Sequence, residues 1–317
     1  MKGWRVLKTK SHRTRPLGEL TWFTVGELRL TVTELEVAYT RAGLDPHTVP
    51  LIQPRHAFQR ATQRLRQAIP LEDGNTLNVH VRPIVEQDGQ VMRMVVEELV
   101  DASEQTLHHA NVAKLIWEHD DRDTATVISS PEETDPHPKV ASALAALQDL
   151  FDEARETFIG RTIRQLVGDL LAQGDPISVR RAGGVFFVSW ARRPIVRQLT
   201  GLVEAIRDLS GHDGTEAYAV PVVNSGQQRL MVRRAAVQDL GEQIIGLQTT
   251  CTELLENPSG GVIQRSADVV VRDLARLRGV VARYQTVTND QLAVLTARLD
   301  GVAVLATQIL GRVDPGQ

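Results

Sequence analysis

The sequence predicts a mixed α+β fold, and three patterns predict it. In the last third of the chain, apolar residues recur in alternating steps of four and three, the spacing of a helical seam. Between 76 and 130 the period changes to two, as in antiparallel strands with one buried face. From 177 to 223 the order strand, strand, helix, strand describes a small β-β-α-β module set between long helices. The expected architecture is therefore an antiparallel β-meander and a β-β-α-β module, combined with long helices that form a C-terminal coiled-coil-like helical hairpin.

Taken in order, residues 1–16 have little periodicity and read as a basic arm. LGELTWFTVGELRL (17–30) predicts two short strands around a turn at Gly26. TELEVAYTRAG follows as a compact helix, with Thr33 and Glu36 as a capping box and Gly43 as the left-handed stop. Pro54 opens a helix over 54–68 with Ala57, Phe58, Ala61, Leu65 and Ala68 on its apolar face. LNVHVRPIVEQDGQVMRMVVEELV is a hairpin turning at Gln87-Asp88-Gly89. The next pair, TLHHANVAKLIWEH and TATVISS, joined at DDRD, completes a four-stranded meander, and SSPEETDPHP (129–138) reads as a linker.

A single helix is expected from Val140 to Ala172, with Leu144, Leu147, Phe151, Ala154, Phe158, Ile163, Leu166 and Leu170 on one side. ISVRRAGGVFFVSW is a hairpin turning at Ala182-Gly183-Gly184, PIVRQLTGLVEAIRDL a helix, and EAYAVPVV a strand. Asn224 or Ser225 caps a helix over 227–256, and ENPSGG is the bend into the last helix. That helix carries Ile263, Ala267, Val270, Leu274, Leu277, Val281 and Tyr284, then one four-plus-four step at Thr288 that acts as a stutter. The stripe resumes at Leu292, Leu295, Leu299, Val302, Ala306 and Ile309. At about 1.5 Å per residue the two helices span roughly 45 and 78 Å. An antiparallel hairpin would leave some 30 Å uncovered beyond about residue 290, so those six residues are the expected oligomerisation surface. The domain reading is 1–70, a basic arm and N-terminal α/β portion; 71–130, the acidic meander; 138–223, the long helix plus β-β-α-β module; and 227–313, the helical hairpin.

Composition narrows the function classes. With 42% apolar and 24% charged residues the chain is ordinary for a globular protein, and no apolar run approaches the roughly 18 residues that span a bilayer. The basic N-terminus has no apolar block after it, so a secretory signal is not expected; the expected compartment is cytoplasmic. One cysteine, Cys251, excludes an internal disulfide framework and sits on the stripe Leu240, Ile244, Leu247, Cys251, Leu254, as a buried structural thiol would. The net charge of −3 hides a segregation: +7 over 1–70, −13 over 71–160 and +3 over 161–317. Three readings fit it: a polyanion site, two surfaces that dock within or between subunits, and charges that simply cluster.

The best candidate site is the stretch 176–203, where Arg180, Arg181, Arg192, Arg193 and Arg197 occur with no acid, interleaved with Phe186, Phe187 and Trp190. Cations for phosphates and flat rings for bases are what single-stranded nucleic acid needs. Phe186 and Phe187 must point to opposite faces, so one belongs to the core. A second basic surface combines helix 54–68, through Arg55, Arg60, Arg64 and Arg66, with the arm residues Lys2, Arg5, Lys8, Lys10, Arg13 and Arg15. Against both stands the plainer reading of solvated charge. Gly183-Gly184 and Gly260-Gly261 lack the spacing of a phosphate loop and read as bends. His108, His109 and His119 beside Asp120, Asp121 and Asp123 lack metal-ligand spacing, so no metal or cofactor is expected. No nucleophile elbow or Ser-His-Asp set stands out, and no small-molecule substrate is indicated.

Three stretches, LGELTWFTVGELRLTVTELEVAYTRAGLDPHTVPLIQPRHAFQRAT (17–62), ISVRRAGGVFFVSWARRPIVRQLTGLVEAI (177–206) and AYAVPVVNSGQQRLMVRRA (217–235), carry a resemblance. The chain resembles an uncharacterised family of proteins of about this length encoded by bacteriophages and bacteria. The resemblance implies a phage or mobile-element setting and brings no activity or catalytic residues. The expected function is a non-enzymatic, self-associating structural or adaptor protein, with a homo-oligomer as its state. The alternative is a nucleic-acid-binding protein using the arm, helix 54–68 and the 180–197 hairpin. An enzyme with an unrecognised site is the third class.

Overall fold

A computed structural model describes residues 15–87, 90–118, 125–129, 136–180, 184–256 and 260–313. In chain order the elements are β1 (Gly18–Thr24), β2 (Arg29–Thr31), α1 (Val32–Arg41), α2 (Pro54–Gln63), β3 (Gln67–Pro70), β4 (Thr76–Gln87), β5 (Gln90–Val100), β6 (Thr106–Glu118) and β7 (Ala125–Ser129). They continue with α3 (Pro138–Ala145), α4 (Leu147–Glu156), β8 (Thr157–Ile159), α5 (Gly160–Ala172), β9 (Ile177–Ser178), β10 (Phe186–Ser189), α6 (Arg193–Ser210), β11 (Glu216–Val222), α7 (Gly226–Glu256), α8 (Gly260–Thr288) and α9 (Ala293–Val313). The fold is mixed α+β with antiparallel sheets, as the periodicities predict. Contacts divide the described residues into two units. Unit 1 draws on Met1–Leu28, Ala38–Leu44 and Gly160–Gln317, and unit 2 on Arg29–Val37 and Asp45–Ile159.

In unit 2 the meander has five strands in the order β3-β4-β5-β6-β7, one more than expected. The extra strand comes from the predicted helix 54–68, which stops at Gln63. Ile69 then pairs with Leu77, and Arg66 donates to the Val81 carbonyl at 2.7 Å. The core lies between one sheet face and α2, α3 and α4: Phe58 meets Phe151 edge-on at 6.2 Å, with Val79, Val95 and Leu115 buried beside them. The sequence expectation of one helix over 140–172 is corrected. Thr157-Phe158-Ile159, two β-branched residues around an aromatic, leave the helix to pair with β2, which buries Phe158 and Leu30. The capping box also shifts two residues earlier: Thr31 and Glu34, not Thr33 and Glu36, exchange the reciprocal bonds. The turns at 88–89 and 119–124, and the 130–135 part of the expected linker, lie outside the described residues.

Unit 1 centres on a four-stranded sheet, β11-β1-β10-β9. The predicted β-β-α-β module is there, with the N-terminal strand inserted: β1 lies between β10 and β11, pairing Leu20 with Phe187 and Trp22 with Tyr218. β1 and β2 therefore do not form the expected pair around Gly26, where a Cβ would strike the His212 ring at 2.1 Å. Phe187 and Ile177 face the helices α7, α8 and α9, while α6 contributes Val196, Leu199 and Val203 to the burial of its own inner face.

The expected C-terminal helical pair is present as α7 and α8, and α9 folds back on both as a third helix in place of the expected overhang. At the four-plus-four step the chain reverses: Asn289 and Leu292 take φ of +54° and +44°, and Asp290 Oδ1 accepts from Leu292 N at 3.0 Å to start α9. Arg233 on α7 pairs with Asp290 at 2.8 Å, and Arg278 on α8 with Asp300 at 3.3 Å, so α9 runs back along both. Leu292, Leu295, Leu299, Val302, Ala306 and Ile309 are all buried within the same chain. The uncovered overhang on which the assembly expectation rested is absent. Cys251 is buried in this bundle, where burial pushes its thiol up, as the structural reading expects. Ala293–Gly311 has the length and composition of a membrane-crossing segment, a feature the sequence reading missed. It presents its apolar stripe to α7 and α8, with 28% of the segment buried.

Candidate anion-binding cleft

Four segments distant in sequence meet at one end of the unit 1 sheet. The start of β1 brings Arg15, Pro16 and Leu17. The end of β10 and the turn after it bring Ser189, Trp190 and Ala191. The entry to α7 brings Asn224 and Arg229, and the last turn of α8 brings Arg283, Thr286, Val287 and Asn289. They line a cleft of about 600 Å³ with three arginines, one indole and no carboxylate among its described lining residues.

The walls are held by bonds that fix side chains rather than leave them to solvent. Asn224 Oδ1 accepts from Arg229 Nε at 2.8 Å, and Ser225, the cap of α7, accepts from Gln228 N. Arg283 is ion-paired with Asp175, which also takes Arg192 at 3.3 Å. Beneath them Tyr284 donates to the carbonyls of Asp175 and Phe187 at 2.9 and 3.1 Å, and its ring lies 6.1 Å from that of Phe187. Burial, with Asp175 adding to it, pushes the Tyr284 hydroxyl far above its ordinary value, so this group is a neutral strut. Arg193 lies over the Trp190 ring at 4.3 Å and pairs with the buried Glu19 at 2.8 Å. On the cleft wall Ser189 is 1% exposed, and its Oγ has no hydrogen-bond partner among the described residues.

The predicted site residues separate. Trp190 lines the cleft, and Arg192 and Arg193 support it from behind as members of ion pairs. Phe187 is core and Phe186 half-exposed, as adjacency requires. Arg180 and Arg197 are exposed and are not cleft residues; Arg181 lies outside the described residues. Arg55, Arg60 and Arg64 belong to unit 2. There Arg60 donates to the Ala154 carbonyl, and Glu153 takes Arg64 at 2.6 Å and Arg29 at 2.8 Å. Arg29 and Arg64 of the +7 block thus meet Glu153 of the −13 block inside unit 2. Arg229 and Arg283 were missed because each sits on a long helix pattern, where a lone arginine reads as surface. A second, smaller pocket of about 180 Å³ in unit 1, lined by Glu204, Arg207, Glu216 and Tyr218 among others, sets two carboxylates against one arginine and does not suit an anion.

Fold and site define a mixed α+β protein whose sheet ends in a basic cleft with no carboxylate among its described lining residues. The chain belongs to the family of unknown function DUF6744, whose model matches residues 16–315. Comparison with curated proteins and with solved structures returned no match.

Proposed function

We propose that this protein is a non-enzymatic nucleic-acid-binding protein that receives single-stranded chain at the Trp190 cleft. One observation carries the reading: Arg15, Arg229 and Arg283 converge with Trp190 around a cleft that, among the described residues, no carboxylate lines. Arginines beside an aromatic face supply the phosphate and base contacts that single strands use. Among the described residues, the carboxylates that neutralise unit 2's arginines have no counterpart on this wall, where Asp175 pairs with Arg283. Fluorescence anisotropy of labelled single-stranded DNA and RNA at about 50 mM salt tests it, with binding that weakens steeply as salt rises. Absence of binding at that salt overturns it. Reversing Arg192 or Arg193 is a poor test, because each answers a carboxylate in the fold.

A second reading, a self-associating structural or adaptor protein, is favoured by a different observation. The outward side of α9 presents Val294 and Val304, 60% and 59% exposed, in line with Ala297 and Gly301. A face without charge is unusual for a surface helix. Sedimentation at tens of micromolar, with Val294→Glu and Val304→Glu as variants, tests it: a monomeric wild type rejects this reading. A phage or mobile-element origin, which the resemblance implies, is compatible with both.

A further inference from the structure

We propose that the cleft holds a single nucleotide bearing a phosphomonoester, either free or as the phosphorylated end of a strand, rather than a run of internal chain. The proposal rests on the nucleic-acid reading and narrows it. Size is the first ground. About 600 Å³ falls within the range of small-ligand pockets, whereas grooves that track a strand accommodate several nucleotides on successive aromatic platforms. Here one ring among the described residues, Trp190, lines the cleft, and Arg193 already covers one of its faces, so the site offers stacking for at most one base.

Charge is the second ground. A phosphomonoester carries more negative charge near neutral pH than a bridging diester and offers an extra terminal oxygen. Three arginines from three segments suit that group better than they suit a single diester. The third ground is Ser189. A buried hydroxyl with no partner is unfavourable and rare in a folded protein. A phosphate oxygen reaching this wall would accept a hydrogen bond from it and remove the deficit. Arg229, held by Asn224, and Arg283, held by Asp175, are already oriented, so binding orders few side chains.

The test uses the full chain and isothermal titration with four probes: a 5′-phosphorylated trinucleotide, the same trinucleotide with a 5′-hydroxyl, a nucleoside 5′-monophosphate, and inorganic phosphate. The phosphorylated trinucleotide should bind at least about tenfold tighter than its hydroxyl counterpart, one charge-assisted contact's worth. A nucleotide that matches the phosphorylated trinucleotide assigns the free ligand; one that is much weaker assigns the strand end. Ser189→Ala should erase most of the preference for the phosphate while leaving the free protein's thermal midpoint unchanged or higher, because the hydroxyl it removes is unpaired. Arg229→Gln should weaken both phosphorylated probes. Equal binding of the two trinucleotides overturns this inference and leaves the nucleic-acid reading standing; no binding by any probe overturns both. Inorganic phosphate binding as tightly as the nucleotide reduces the site to a plain anion site and also overturns it.

Discussion

The two units treat their arginines in opposite ways. In unit 2, Arg29, Arg60 and Arg64 converge on the end of α4, where Glu153 takes two of them and the Ala154 carbonyl the third. In unit 1, Arg15, Arg229 and Arg283 converge on a cleft with no carboxylate among its described lining residues, with Asp175 engaging one of them. Both clusters gather arginines from separate stretches of the chain. What separates a structural cluster from a binding site is the acid that arrives with it, and that acid is delivered by long-range topology.

The largest effect expected is on the cores under the two clusters. Phe187→Ala and Phe58→Ala each remove a fully buried ring and should each cost about 3–5 kcal/mol in denaturant titrations. Under conditions where both variants keep their circular dichroism, Phe187→Ala should also lose oligonucleotide binding, because its ring supports Tyr284 below the cleft. Phe58→Ala should keep it. Loss of binding in both would erase the contrast between the units.

Asp175 gives the next test, and its two readouts move in opposite directions. It sits at φ +50°, a conformation asparagine also tolerates, so Asp175→Asn removes the charge with little backbone change. Losing two charge-assisted bonds, to Arg192 and Arg283, should cost about 2 kcal/mol. Anion affinity should rise at the same time, since Arg283 is no longer neutralised. A fall in both would mark Asp175 as a positioning group whose hold on Arg283 outweighs its charge.

Much of this contrast was out of reach of sequence reasoning, for physical reasons. Periodicity reports which face of an element is buried, so the meander, the β-β-α-β module and the bundle stripe were legible. It does not report the partner. The stripe from Ile263 to Ile309 has the same apolar spacing whether helix 262–313 continues straight or reverses at Asn289; only the left-handed tolerance of asparagine hinted at the reversal. β1's place between β10 and β11 depends on pairings almost two hundred residues apart, such as Trp22 with Tyr218. Within the cleft, Trp190 and Arg15 were visible as aromatic and basic residues in suggestive company. Arg229 and Arg283 had no such company in sequence, and Ser189 becomes informative only once its hydroxyl is seen to be buried without a partner.

A smaller and more direct comparison sets Arg229→Gln against Arg64→Gln. The first should weaken binding of a phosphorylated oligonucleotide by about tenfold and reduce the salt slope by about one unit. The second should leave both unchanged, because Arg64 answers Glu153. Equal effects would mean that the ligand follows total basic charge rather than the cleft.

The smallest effect is the pH dependence of the unit 2 cluster. Hydrogen bonding from Arg64 is the main influence holding the Glu153 carboxyl below its ordinary value of 4.5; burial opposes it, and the charges of Arg64 and Arg29 add to the lowering. Folding therefore favours the ionised form. The contribution is fully present above the unfolded value and is lost as pH falls through the lower folded one. Both partners are well exposed, at 39% for Arg64 and 58% for Arg29, so solvent screening limits the cluster to about 0.2–1 kcal/mol. Urea titrations of wild type and Glu153→Gln should differ by that amount near pH 7 and converge as pH falls through the lowered folded value of the carboxyl. About 1 M salt should shrink the difference at pH 7. Oligonucleotide binding should be the same in both proteins at pH 7. A difference in stability that persists unchanged at low pH would show that Glu153 acts through packing or neutral hydrogen bonds. In that case the structural role of unit 2's arginines would not depend on the acid that faces them.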